Sequence, residues 1–370
     1  MIFGADFSSL EETELQGGKF YENGREVELV SCLASKGVTS ARLRLWLDPF
    51  GENGAPYMGG TCDLERLVRL ARRAKENGMQ ILLDFHYSDF WCDPGRQMIP
   101  KAWQGMTLDA MCQALYDHTA SALKRLKAEG LEPTAVQVGN EITNGMLWPV
   151  GRLGEGTPRQ GYDSLAKLLR SGVKAVREHS DAKVVLHLEQ SGKKELWQEW
   201  FDAMVQRDVE FDIIGASYYP YWHGTMEELK ANMENCIARY GKDIWIVETS
   251  YPFTTEHYRP GGETASLCIA DGAHRWNGDP VTHPLTPEGQ IAFIRDLTAL
   301  VAALPEGRGK GIWWWEPGWI PAEGSSWASE ASLAYCHEEE KTTGNEWANQ
   351  CMFDYSGNAL PVLNAFAKQP

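Results

Sequence analysis

Ser40-Ala41-Arg42-Leu43-Arg44-Leu45-Trp46, Asp63-Leu64-Glu65-Arg66-Leu67-Val68-Arg69-Leu70-Ala71 and Gln80-Ile81-Leu82-Leu83-Asp84-Phe85 read in turn as strand, helix and strand. The outer two are short, mostly apolar runs bounded by turn residues. In the middle one, Asp63 is an N-cap candidate, and Leu64, Leu67, Val68 and Ala71 share a stripe that should face a sheet. Strand, helix, strand is the unit of a parallel sheet. Further strands are expected at Ile2 to Phe7, Ala135 to Gly139, Lys183 to Leu188, Phe211 to Ser217, Asp243 to Val247 and Gly311 to Trp315. Further helices are expected over Leu108 to Glu129, Tyr162 to Glu178, Met226 to Tyr240 and Pro287 to Leu304. Eight such strands, with no Gly-, Ser- or Pro-rich linker and no fixed-period repeat, predict one α/β domain over residues 1–370, a closed (β/α)8 TIM barrel.

Composition narrows the function. Hydrophobic residues make up 43% and charged residues 23%, which is ordinary for a folded chain and excludes disorder. The net charge of −16 repels nucleic acid, anionic lipid and polyanionic substrates, so a neutral ligand is expected. No run approaches the ~20 apolar residues of a membrane-spanning helix. The eight cysteines contain no C-x-x-C pair, so they read as free thiols. Those thiols, and an N-terminus without a basic or long apolar segment, predict either a cytoplasmic protein or one whose leader has been removed. Fifteen tryptophans, many in polar stretches, raise the prospect of a sugar site, because aromatic faces stack on the apolar faces of sugar rings.

The long connections Phe85 to Trp103, Glu141 to Pro158, Tyr218 to Gly224, Thr249 to Pro287 and Glu316 to Leu360 should gather over the carboxyl ends of the strands and form an open cleft. Two strands end there in glutamate. Val136-Gln137-Val138-Gly139-Asn140-Glu141 closes the fourth, and Ile244-Trp245-Ile246-Val247-Glu248 the seventh. Two carboxyl groups ~5–5.5 Å apart cleave a glycosidic bond with retention, one as acid and then base, the other as nucleophile. The residues alone do not say which glutamate has which task.

Five segments in order carry a family resemblance. They are Arg42 to Pro49, Leu83 to Gly95, Gly139-Asn140-Glu141-Ile142, Ser217 to Gly224 and Trp315-Glu316-Pro317-Gly318-Trp319. Together they resemble the family 53 arabinogalactan endo-β-1,4-galactanases of the clan A retaining glycoside hydrolases. The resemblance implies that Glu141 is the acid/base and Glu248 the nucleophile, that Asn140 bonds the sugar 2-hydroxyl, and that the substrate is a neutral β-galactan polysaccharide or oligosaccharide.

Around that pair, Arg42 and Arg44 share one strand face, with Arg44 nearer the mouth and expected beside Glu248, or else in a salt bridge that orders loops. His86 is expected at the substrate or just behind it. Tyr219 is the expected hydrogen-bond donor to the nucleophile, with Tyr218 as the alternative. His223, Trp91, Asp93 and Trp319 are expected along the cleft. In Trp313-Trp314-Trp315, the first and third should share a side, with Trp315 as the sugar platform.

Other readings remain at this level. A β-mannanase or cellulase shares the two-glutamate chemistry, and a barrel that binds polysaccharide without cutting it shares the cleft. No cofactor or metal is required by the proposed chemistry. Ala270 to His274 and Asn277 to Asp279 offer oxygen ligands, and some related galactanases carry calcium; the spacing is not that of an EF-hand, so a solvated loop is the simpler reading. A monomer is expected.

Overall fold

The computed structural model describes residues 1–156, 159–262, 266–269 and 282–366. Eight parallel strands close a barrel in chain order. They are β1 (Ile2–Asp6), β2 (Ser40–Leu45), β3 (Gln80–Phe85), β4 (Ala135–Val138), β5 (Lys183–Leu188), β6 (Ile213–Ser217), β7 (Asp243–Thr249) and β8 (Gly309–Trp315). The expected strands match these within about two residues at each end. The candidate calcium segments, Ala270 to His274 and Asn277 to Asp279, lie outside the described residues.

The outer helices are α1 (Leu29–Ser35), α2 (Leu64–Glu76), α3 (Leu108–Ala128), α4 (Tyr162–His179), α5 (Lys194–Val205), α6 (Met226–Tyr240) and α7 (Pro287–Ala302). Their starts carry local signals. The Asp63 side chain accepts from Arg66 N at 2.7 Å, and Thr225 and Glu228 form a reciprocal capping box. Helices α1 and α5 are absent from the sequence reading, and Lys193 before α5 provides no side-chain cap. Its stripe of Trp197, Trp200, Phe201 and Met204 is nevertheless fully buried.

Side-chain alternation divides each strand between two cores. Outward residues such as Leu43, Leu83, Val136, Leu186 and Ile246 pack under the helices. Inward residues Leu82, Ala135, Val185, Ile213, Trp245, Val247 and Trp313 plug the lower barrel. There Trp245 and Trp313 stack with ring centroids 4.8 Å apart. Gly4 is required on β1, since a Cβ at that position would sit 2.1 Å from the Trp313 ring. Above the plug, the inward positions turn polar: Asp6, Arg42, Asp84, Gln137 and His187 are all fully buried. Such a layer is stable only when its charges and hydrogen bonds are mutually satisfied, and it forms the floor of the site.

The buried acid Glu12 lies outside this floor. Glu12, on the short helix Leu10–Leu15, accepts from Gly60 N at 3.0 Å and Thr61 Oγ1 at 3.1 Å through Oε2, while Oε1 has no partner among the described residues. Burial pushes its carboxyl up from 4.5 to about 7 despite Arg66. A folded-state value above the unfolded one gives stability that is complete below about 4.5 and lost as pH rises through about 7. Glu12→Gln should therefore be more stable than the parent at pH ~8.5 by on the order of 1–2 kcal/mol, with no gain at pH ~4. Urea unfolding at the two pH values measures this directly.

Candidate active site

Two departures from regular strand geometry aim the acids. Alternation on β7 directs Trp245 and Val247 inward, which would turn Glu248 out. A register shift against both neighbours, between Ile246 and Thr249 on the β8 side and at Ala216/Ser217 of β6, brings Glu248 level with Ser217. A bulge of this kind re-aims a side chain next to a site. On β4, Gly139 at φ 92° and Glu141 at φ 49° make a left-handed turn directly after the strand. A non-glycine residue there costs on the order of 1–3 kcal/mol, which the surrounding contacts must offset.

Ligand atoms of Glu141, His187 and Glu248 all lie within 4.8 Å of one another. A carboxylate oxygen of each acid thus lies within 4.8 Å of the other, which fits the ~5–5.5 Å separation of retaining pairs better than the ~6.5–9.5 Å of inverting pairs. The same three side chains could surround a metal ion, but both His187 nitrogens already contact protein groups: Ser217 at Nε2, and Gln137 and Asn140 at Nδ1.

The environments of the two acids differ. Glu248 Oε2 lies 3.1 Å from Arg42 Nη1, and Tyr219 donates its hydroxyl to Oε1 at 2.9 Å. Burial raises the Glu248 carboxyl to about 7, and Arg42 and Tyr219 restrain the rise. Glu141 has no ion pair with a cation among the described residues. It stands well above the usual carboxylate range through burial first, then the negative charges of Glu248 and Glu189. When one proton is shared between the two, it rests on Glu141.

The structure corrects the assignment of the arginines. Arg42, not Arg44, meets Glu248, and it also binds Asp6 Oδ2 at 2.8 Å, Asp84 Oδ2 at 2.9 Å and Asn140 Oδ1 at 2.8 Å. Arg44 turns to Asp6 at 3.2 Å and Glu316 at 2.6 Å, with its guanidinium 4.4 Å from the centre of the Trp91 ring and 5.4 Å from that of Trp315. Strand alternation gives both arginines the same face but not their reach. Arg42 rises through the floor to Glu248, while Arg44 braces the tryptophan wall by cation–π contact.

The tyrosine alternative also resolves. Tyr219 is at Glu248; Tyr218 packs on Phe293 outside the barrel and donates to Gly224 O at 3.2 Å. His86 accepts from Cys92 N at Nδ1 (3.0 Å), so its hydrogen sits on Nε2 beside Asp84 Oδ2 at 3.1 Å. Burial pushes its ring toward the neutral form. Asn140 Nδ2 donates to Cys92 O at 2.8 Å, which uses one of its two amide hydrogens. His223 Nδ1 lies 3.2 Å from Tyr219 N and 3.1 Å from Ser217 O.

A cleft of about 500 Å³ opens over the two acids, lined by His86, Trp91, Asp93, Asn140, Tyr219, His223, Trp315 and Trp319. The tryptophans form a continuous wall. Trp91, Trp315 and Trp319 lie about 6 Å apart, and Trp347 stands edge-on to Trp315 at 4.6 Å. As expected, Trp313 is in the inner plug, Trp314 is under the helices and Trp315 is at the cleft. Glu189, Gln190, Trp222, Trp327 and Trp347 also line it, and the sequence reading assigned them no role. Glu189 directly follows β5, so the strand-terminal acid rule that found Glu141 and Glu248 would have found it as well. Trp347 lies in the long connection after β8, where no period marks it.

Paired carboxyl groups at the mouth of a (β/α)8 barrel, under a wall of indoles and with the proton held on one side, define a glycoside hydrolase. The family model "Glycosyl hydrolase family 53" matches residues 2–366. The chain belongs to glycosyl hydrolase family 53. It is 38% identical to a protein of the "bgaB 5'region" of Niallia circulans over 98% of this chain and 93% of that one. It is 34% identical to an endo-beta-1,4-galactanase of Bacillus subtilis (strain 168) over 99% of this chain and 85% of the relative. The solved GH53 catalytic domain of Ignisphaera aggregans superposes with a TM-score of 0.85 at 35% identity, covering 99% of this chain and 95% of that one.

Proposed function

We propose that the chain is an endo-acting β-1,4-galactanase, a single catalytic unit that cleaves galactan with retention through Glu248 as nucleophile and Glu141 as acid/base. The observation that carries the chemistry is the facing carboxylate pair, with its ligand atoms within 4.8 Å and its environments unequal. Galactan as substrate is supported by family membership and by the name of the Bacillus subtilis relative. Cleavage inside a polymer is supported by the open trough walled by tryptophans.

In the first step Glu248 attacks the anomeric carbon while Glu141 protonates the departing glycosidic oxygen, leaving a covalent galactosyl-enzyme. Water, deprotonated by Glu141, then releases the sugar with its β configuration restored. Arg42 and Tyr219 serve this cycle by keeping Glu248 ionised and turning its free lone pair to the anomeric carbon. Activity should therefore fall on the acid side as Glu248 gains a proton near pH 7, and on the alkaline side as Glu141 loses its own.

Tyr219→Phe removes a donor to ionised Glu248. It should lower kcat/KM about 10- to 100-fold and move the acid limb upward, which pH-rate profiles of parent and variant compare. The assignment of substrate is tested by incubating purified protein with β-1,4-galactan, β-mannan and cellulose and sizing the products. Galactan cut early into mid-length oligosaccharides, with the other two intact, is the expected result. Untouched galactan, or release of monosaccharide alone, refutes the reading.

A further inference from the structure

Glu141 has two oxygens, and the protein occupies one. Ser217, the last residue of β6, sits with its hydroxyl 2.6 Å from Glu141 Oε1, and His187 Nε2 lies 2.8 Å behind Ser217 Oγ. Oε2 of Glu141 has no hydrogen bond to the described residues and is not a buried orphan, so it is the oxygen left to the cleft.

Which way this chain of hydrogen bonds points depends on His187. Burial, with the nearby Arg42 charge, holds its ring neutral, so one nitrogen carries hydrogen. Nδ1 faces two donors, Gln137 Nε2 at 2.9 Å and Glu141 N at 3.4 Å, and one acceptor, Asn140 Oδ1 at 3.0 Å. The amide orientations are fixed by their other partners: Gln137 Nε2 is bonded to Asp84 Oδ1, and Asn140 Nδ2 to Cys92 O. One Gln137 amide hydrogen goes to Asp84, so the other goes either to His187 Nδ1 at 2.9 Å, making Nδ1 an acceptor, or to Asn140 Oδ1 at 3.2 Å, which with Arg42 Nη2 at 2.8 Å then has both lone pairs filled and can take no hydrogen from Nδ1. Nδ1 is therefore the acceptor and Nε2 carries the hydrogen. It donates to Ser217 Oγ, which leaves the serine proton only one direction, toward Glu141 Oε1.

We propose that His187 and Ser217 are positioning residues that reserve Glu141 Oε1 as a hydrogen-bond acceptor and so hold the catalytic proton on Oε2, the oxygen that meets the glycosidic bond. This rests on Glu141 being the acid/base. Without the relay the proton would divide between two oxygens, and in the competing arrangement Glu141 would donate to Ser217, where no leaving group can reach it. The relay also stabilises the carboxylate form that activates water in the second step, at a site where Glu248, Glu189 and Asp93 all oppose it. The charged and titratable groups about His187 are Glu141 and Glu248, within 4.8 Å, and Arg42, Asp84, His86 and His223.

The test compares parent, Ser217→Ala and Ser217→Thr on a β-1,4-galacto-oligosaccharide, whose leaving group needs a proton, and on a 2,4-dinitrophenyl β-galactoside, whose leaving group does not. Ser217→Ala should lower kcat/KM on the oligosaccharide about 10- to 100-fold, lower it less than about threefold on the aryl substrate, and move the alkaline limb upward by about half a pH unit or more. Ser217→Thr, which keeps the hydroxyl, should restore the parent profile. Equal losses on both substrates, or an alkaline limb that stays in place, overturn the relay. Glu141→Ala is run alongside; if it too fails to separate the two substrates, the acid/base assignment itself falls and the relay falls with it.

Discussion

Glu248→Ala will lower kcat on β-1,4-galactan by at least about 10⁴-fold, the largest effect expected of any substitution in this protein. In the proposed mechanism this residue forms the covalent bond to the anomeric carbon. That mechanism gives Glu141 the leaving group, and Asp6 and Asp84 are fully buried and paired with Arg42. The variant should still bind galactan, because the tryptophan wall is untouched. Added azide fits the space left by the side chain and attacks from the same face. With an activated aryl galactoside, turnover should return and the product should be the α-galactosyl azide. NMR of that product is decisive, since a β-azide would mean that another residue is the nucleophile.

The second large effect is that of Glu141→Ala, and its signature is unequal. On galactan the loss should be about 10²–10⁴-fold, the usual worth of a positioned acid and base. On a dinitrophenyl galactoside, formation of the galactosyl-enzyme should be nearly normal, but its hydrolysis will be slow because no base activates water. A burst of phenolate followed by a low steady state is expected. Azide should speed the second phase and give the β-galactosyl azide, the opposite anomer from the Glu248 variant. Loss of the burst, with both phases slowed alike, would remove Glu141 from the acid/base role.

These two effects rest on a carboxylate pair whose unequal protonation comes from position. Arg42 and the Tyr219 hydroxyl are placed at Glu248, whereas the groups nearest Glu141 are mostly other acids. Arg42 in turn is held by Asp6 and Asp84, so the floor is more than a scaffold: it fixes a cation beside Glu248 that favours ionisation of that glutamate. A second network of Arg44, Glu316 and Ser9, joined to the first through Asp6, props Trp91 and Trp315. In the proposed mechanism each arginine thus supports one requirement, proton placement or the wall on which sugar would stack.

What could be read from the linear chain follows from the period of two in a strand and 3.6 in a helix. Apolar runs ending in Asn140-Glu141 and in Glu248 announce barrel strands with acids at their carboxyl ends, and the indole-rich connections announce what those acids face. Alternation likewise separated Trp313 and Trp315 from Trp314. It could not show that a bulge in β7 is needed to turn Glu248 inward, because an inserted register shift leaves no mark in hydrophobic pattern. Nor could it rank Arg42 against Arg44, or find the His187–Ser217 contact to Glu141. Period gives a side chain its face but neither its height in the barrel nor the residue it meets across the barrel. Those are set by strand stagger, by the reach of long side chains and by which donors have lone pairs left to fill, quantities that exist only once distant segments are closed into a ring.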